Sequence, residues 1–474
     1  MKKLILIIFS FVFLSSNVFA NDRTIKNFNE WLLQNNFTEY VEINEHYEEC
    51  RNCSLEALPR CWEESGKPKK QCVIDGDQNL GDYGFKWEEQ SKYKNNLKIK
   101  FYDNRSEIPE KVKPNYDTLL YYYWMYTNSN WNNNSVYSNI KASEKPYEFK
   151  FDLRNDKIVK KQMQKTALLS YLLYEDGKIV VDEISPQDKF GRVFTNETKF
   201  HSQSVGKSLV SYTLGHAICK GYVESIDAQL NDWPLIKNSL YYNQKIIDII
   251  NMAAGDKEYF SKRDSSNRYK KTDRSVTNTT IKKAIENEFK NSKKSSNKYS
   301  YNNFLPHLIM NYIIFKAGEE NYQQLMNDIF REKIGIEHEV NFVEPETSEP
   351  SDRSTTSTFL ASRYDYMRIA KSMLDDWKND TCEGKFLKSI YERKINKNRD
   401  YRDKKHAFNN TKSYGGFFHL DPSGMKNRPV FIMDGYGGQT LTIDFDTGRI
   451  VTTLAVHRDF NWMKIAHSVI KKGK

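Results

Sequence analysis

The sequence predicts an α+β protein: an antiparallel sheet flanked by helices, with a mainly helical insertion and an N-terminal Cys-rich extension. Two β-rich runs, 167–174 and 178–183, are separated only by Glu175, Asp176 and Gly177, the pattern of an antiparallel hairpin. Strand-like runs return near the C-terminus at 429–433, 439–445 and 449–457. Between these ends apolar residues recur at helical spacing, so one sheet must be assembled from distant segments. The chain of 474 residues is long enough for two or three domains, and 14% aromatic residues supply large buriable surfaces.

In chain order, residues 1–20 differ from everything after them. Lys2 and Lys3 precede an apolar run from 4 to 13, followed by Ser15, Ser16 and the small-residue ending at Ala20. This is the pattern of a secretory signal peptide cleaved after Ala20, and it predicts an exported protein, periplasmic or secreted. No later run approaches the roughly 20 apolar residues of a membrane span, so no integral span is expected. The formal charge of +10 becomes +8 once Lys2 and Lys3 are removed. That balance favours acidic surfaces or substrates, but an exported chain without base-reading or stacking motifs is not expected to bind nucleic acid.

Residues 21–150 form one compositional block, an extension whose protein partner the sequence leaves unknown. It contains Cys50, Cys53, Cys61 and Cys72. In an oxidising compartment these four read as two disulfides, with three connectivities open. Zinc is the weaker reading, because one Cys-x-x-Cys pair lacks a second pair or paired histidines. Cys219 falls in an apolar helical context and reads as core, whereas Cys382 lies in a polar stretch.

The block 151–474 is the expected catalytic domain. Residues 204–220 carry Val205, Leu209, Val210, Leu214, Ala217 and Ile218 at helical spacing and end at Gly221, which predicts an amphipathic helix with Ser204 in its first turn. Further helices are expected over 246–254, 304–315, 322–330, 364–377 and 462–471. Between 261 and 298 basic residues outnumber acidic ones, as in a solvated surface insertion.

The chemistry concentrates at residues 200–208, FHSQSVGKS. A phosphate-binding loop needs glycine where His201 stands, and a nucleophile elbow needs glycine where Ser202 stands. Ser-x-x-Lys at a helix start fits instead. Three residues apart on a helix, the Ser204 hydroxyl and Lys207 amine share a face, and the helix N-terminus favours negative charge developing on the serine oxygen. A lysine near pKa 10.4 must be lowered by about three units to act as a base at neutral pH, roughly 4 kcal/mol of desolvation and neighbouring positive charge. The same spacing occurs at Ser91/Lys94, Ser295/Lys298, Ser423/Lys426 and Ser468/Lys471, but only Ser204 combines it with a helix following a strand pair. A zinc hydrolase is not indicated: His338-Glu339 lacks a second histidine at helical spacing.

From about residue 160 onward the chain resembles the serine β-lactamase and penicillin-binding superfamily, in particular the class C β-lactamase-like branch with its D-alanyl-D-alanine peptidases, esterases and 6-aminohexanoate-oligomer hydrolases. The blocks that carry the resemblance occur in family order. They are GKIVVDE at 177–183, the stretch from Phe200 through Asp232-Trp233-Pro234, Asn251 to Gly255 (a helical block in the family), Tyr301-Asn302-Asn303 as Tyr-x-Asn, and the helix around Asp365 and Arg368. The resemblance implies a β-lactamase/transpeptidase-like fold. The family's last motif, Lys-Thr-Gly or His-x-Gly, falls at Gly435-Tyr436-Gly437-Gly438-Gln439, and Asp434 stands there with no Lys or His. Some family hydrolases carry a Gly-x-x-Gly-Gln form at this point.

What the resemblance implies is a serine hydrolase of carboxylic amides or esters without metal or organic cofactor. Ser204 would be the nucleophile, with Lys207 and Tyr301 as its proton-transfer partners. Asn303 and the 435–438 turn, Gly435, Tyr436, Gly437 and Gly438, would bind substrate, and the main-chain N–H groups of Ser204 and Tyr436 would form the oxyanion hole. Tyr299 competes with Tyr301 for the phenol role. The missing cation at the last motif places amidase or esterase activity ahead of peptidoglycan D,D-peptidase or β-lactamase activity. It is also the feature that favours a rival of another class, a non-catalytic binding protein retaining the fold.

Overall fold

The computed structural model describes residues 28, 30–37, 108–128, 139–261, 279–345, 354–397, 407–425 and 427–472. The signal segment, the cysteines at 50, 53, 61 and 72, and most of the basic stretch after 261 lie outside the described residues. The chain divides into two compact units, Met1–Arg105 with Pro114–Trp124, and Ser106–Lys113 with Met125–Lys474. In the first, Phe28 meets Tyr121 edge-on at 5.3 Å and Trp124 at 5.4 Å. The second unit contains the sheet, and it begins ahead of the expected start at 151. Ile140 already bridges to Val340, and β1 (Lys150–Phe151) already pairs with a sheet strand.

The predicted hairpin is β2 (Leu168–Glu175) and β3 (Lys178–Ile184). Asp176 and Gly177 both have positive φ, 49° and 82°, the two-residue turn whose twist matches paired strands. At the other end of the chain come β10 (Val430–Gly435), β11 (Gln439–Asp444) and β12 (Arg449–Ala455). β12 pairs antiparallel with β2, closing the first hairpin onto the last strands across nearly three hundred residues. Among the described residues the large sheet runs β1-β3-β2-β12-β11-β10 and on through the strands Phe418–Pro422, Thr411–Gly415 and Ile395–Asn396, and only the β1–β3 pair is parallel.

Helices cover both faces, so strand side chains of either parity are buried. Val430 and Ile432 point into a cluster with Val159, Met163, Leu168, Val451, Ile465 and Ile470. Phe431, between them, packs on the opposite face against Trp377, which also stacks on Phe445 at 4.4 Å. This two-sided burial accounts for β2, a largely apolar strand that is buried at every position.

Several sequence expectations need correction. The helix after Ser204, α1 (Val205–Cys219), is buried on all sides through Ala217 and is therefore not amphipathic; it is a central helix, and its Ser208 and Tyr212 hydroxyls bond inside the protein. The helix expected over 246–254 stops at Ile250, because Met252 and Gly255 take positive φ, 57° and 73°. The supposedly helical middle contains a further hairpin, β8 (Thr411–Gly415) and β9 (Phe418–Pro422), turning at Gly416 and Phe417. Its polar and glycine residues gave no period-two pattern. A short β7 (Ile395–Asn396) extends this edge.

Cys219 is not a packed free thiol. It is disulfide-bonded to Cys382, tying the end of α1 to the first residue of the helix Cys382–Glu392. The pairing spans 163 residues of sequence, so neither local context disclosed it.

Candidate active site

The turn that leads into Ser204 is built by close backbone approach. Ser202 N–H donates to Phe359 O at 2.7 Å, and its hydroxyl accepts from Phe359 N–H at 2.8 Å and donates to Gln203 O. Gln203 is then held at φ 49°, an uncommon conformation for a residue with a side chain, and Ser204 caps α1. Gly206 is obligatory here, because a Cβ would lie 1.7 Å from Ser357 O. These contacts hold the Ser204 turn at the start of a buried helix.

Within it, Lys207 Nζ lies 2.8 Å from Ser204 Oγ, the hydrogen bond expected from their spacing. Lys207 is only 4% exposed. The same ammonium sits over the Tyr301 ring, 5.1 Å from its centroid, so the structure brings Ser204, Lys207 and Tyr301 into one cluster. Tyr299, the alternative phenol, instead packs on Tyr414 at 5.2 Å. Tyr301 is delivered just ahead of α2 (Phe304–Ala317), whose first N–H groups are capped by Asn302 Oδ1. Asn302 in turn donates to the buried Asp256 carboxylate. Asn303, the third residue of the motif, is half-buried at the helix start.

The 435–438 turn comes against this cluster. A Cβ on Gly435 would be 2.5 Å from Ser202 O, so the end of β10 and the turn before Ser204 are in backbone contact. Gly437 and Gly438 have φ of 81° and 109°, and a Cβ on Gly438 would strike the Phe460 ring. Among the described residues, the Ser204 N–H donates to no protein acceptor. The Tyr436 hydroxyl donates to Ile108 O at 2.7 Å. His457 Nε2 donates to Val112 O at 2.8 Å, so the 108–112 segment is pinned along this end of the sheet.

Asp434, just ahead of this turn, forms a bidentate ion pair with Arg458, which also donates to Gly435 O. Arg458 therefore braces the turn from behind. His307 was not singled out from the sequence. It lies on α2 with its pKa lowered to about 3, chiefly by burial and then by the Lys207 charge, so it stays neutral at physiological pH. His201 is lowered to about 3 by burial alone, and its Nδ1 accepts from Gln203 N–H. A histidine four residues past a Tyr-x-Asn motif is a signal that helical spacing could have flagged.

Among the described residues no group of three or more His, Cys, Asp or Glu is gathered in a way that could hold a metal ion. None of the described helices is long and apolar enough to cross a membrane.

No family model matches the chain, and no curated protein matches it in sequence. Solved structures do. A Bacillus anthracis protein assigned as a 6-aminohexanoate-dimer hydrolase superposes with a TM-score of 0.55 at 12% identity, covering 78% of this chain and 97% of its own. The D-amino acid amidase of Ochrobactrum anthropi matches at a TM-score of 0.46 and 13% identity, over 66% of this chain and 96% of its own. A class C β-lactamase from Rhodobacter sphaeroides matches at 0.43 and 13%, over 65% and 95%. The first of these defines the fold as β-lactamase/transpeptidase-like.

Proposed function

We propose that the chain is an exported serine hydrolase that cleaves a carboxylic amide or ester through an acyl-enzyme on Ser204. The observation that carries this reading is the 2.8 Å contact between Lys207 Nζ and Ser204 Oγ, with the Tyr301 ring against the same amine. With the amine bonded to the hydroxyl and lying over the tyrosine ring, one proton removed from the set leaves a base beside the serine. Ser204 Oγ attacks the substrate carbonyl while its proton passes to the Lys207/Tyr301 pair. The oxyanion faces the main-chain N–H groups of Ser204 and Tyr436, each worth about 3 kcal/mol in the transition state. The pair then returns the proton to the departing amine or alcohol. Water, deprotonated by the same pair, releases the acid and regenerates Ser204.

Asn303 and the turn of Gly435, Tyr436, Gly437 and Gly438 position the substrate. Asp434 and its Arg458 partner leave no cation projecting from this strand, which supports a substrate other than a β-lactam carboxylate. The Cys219–Cys382 disulfide supports passage through an oxidising compartment, in keeping with the leader at 1–20.

The test is labelling with a fluorophosphonate probe followed by peptide mapping. Wild type should be modified at Ser204 and Ser204→Ala should not. Equal labelling of the two would remove the assigned nucleophile, and failure of the folded wild type to label would favour a non-catalytic binding protein on the same fold.

A further inference from the structure

A second buried lysine stands behind Tyr301. Lys397, just past β7, is 3% exposed, and its Nζ lies 2.5 Å from Thr411 Oγ1 and 3.1 Å from His419 Nδ1. Thr411 passes its own hydroxyl proton to Ala407 O, so its oxygen is left to accept. An ammonium can only donate, and His419 Nδ1 must therefore accept, which holds the imidazole as its Nε2–H tautomer. His419, 2% exposed on β9, lies nearly parallel to the Tyr301 ring, at 6.3 Å between centroids and 26° between planes. Tyr414 closes the edge of both rings, at 6.1 Å from Tyr301 and 5.0 Å from His419. The phenol thus has the Lys207 ammonium against its ring and an imidazole bonded to a second lysine on the hairpin side.

We propose that Lys397, acting through His419, is a positioning residue for Tyr301: it fixes the tautomer and tilt of the imidazole against the phenol and brings to the site a second buried positive charge, from a different strand than the one where Asp434 stands. This rests on the serine-hydrolase reading above. Charge of this kind stabilises a phenolate and disfavours a second ammonium, so it eases proton loss from Tyr301 and from Lys207 alike. Whichever of the two acts as base, removing Lys397 moves the acid limb of the rate profile to higher pH. Among the described residues, the titratable groups around the pair are Lys207 from α1, His307 from α2, Tyr299 and Tyr414. Of these His307 is neutral across the working range, and Tyr414, buried and beside two other phenols, stays protonated.

The experiment is the pH profile of kcat/KM on a p-nitrophenyl ester, alongside fluorophosphonate labelling, for wild type, Lys397→Met, Lys397→Arg and His419→Phe. Lys397→Met should move the acid limb up by about one pH unit and lower kcat about tenfold with KM little changed. Lys397→Arg should recover part of both. His419→Phe keeps a ring against Tyr301 and leaves the Lys397 charge in place but removes Nδ1, so it should lower kcat by a similar factor while moving the acid limb less than Lys397→Met does. If Lys397→Met fails to fold, His419→Phe decides alone. Profiles superimposable on wild type, in an enzyme still labelled at Ser204, overturn the inference and leave the hydrolase reading standing; absence of Ser204 labelling in wild type overturns that reading instead.

Discussion

Lys207 is the side chain on which the proposed chemistry turns, because it lies against both Ser204 Oγ and the Tyr301 ring. Lys207→Ala and Tyr301→Phe should each lower acylation by a probe ester by about a thousandfold or more while circular dichroism stays native. Near-wild-type turnover by either would reject its assigned role. Gly206 makes a different demand. With Ser357 O at 1.7 Å from a built Cβ, Gly206→Ala has to push the helix start away from its neighbour. It should cost several kcal/mol in urea unfolding, on the order of an overpacked core site or more. A Gly206→Ala protein as stable as wild type would mean that the helix and the 357 segment are less closely packed than described.

At the scale of elements, the end of α1 is secured twice. The disulfide joins Cys219 to Cys382, and beside it His216 Nδ1 meets Glu383 at 3.0 Å while Lys333 reaches both Glu383 and Asp376. Tyr212, one turn earlier, donates to Asp376 at 2.5 Å. These contacts bind α1 to two neighbouring helices, Arg363–Lys378 and Cys382–Glu392, at the end opposite Ser204. Replacing both cysteines by serine should lower stability by about 2–4 kcal/mol in denaturant titrations. Because the bond is a helix length from the hydroxyl, Ser204 labelling at low temperature should persist. An unchanged midpoint would show that the polar cluster suffices without the bond.

For the molecule as a whole, buried histidines set the response to acid. His201 and His307 are lowered to about 3, and His216, His457 and His467 are lowered as well, in each case first by burial. A histidine depressed in the folded state is protonated first in the unfolded chain. Stability is therefore intact above the ordinary histidine value near 6.5 and is lost as pH falls from there toward the folded value, at up to ~1.4 kcal/mol per pH unit per group. Glu383, held low by hydrogen bonds from His216 and Lys333, adds a loss further down, below the usual carboxylate range. The unfolding midpoint should consequently drop steadily between pH 7 and 4. A flat profile over that interval would contradict the buried, neutral state of these imidazoles.

Local chemistry was enough to read the parts of this fold whose signals are contained in short windows. The Asp176-Gly177 hairpin, the Gly221 stop after the nucleophile helix and the Ser204/Lys207 pair all follow from turn preference and helical spacing, and each lies where expected. The hairpin 411–422 carried no such signal: its polar and glycine-rich strands show no alternation, and they are recruited as strands by pairing at the sheet edge. The Cys219–Cys382 bond and the approach of Lys397 and His419 to Tyr301 could be seen only in the folded chain. A covalent bond, a buried ammonium and a stacked ring depend on which distant segments share a space. That is settled by packing summed over the whole molecule, which no window of neighbouring residues contains.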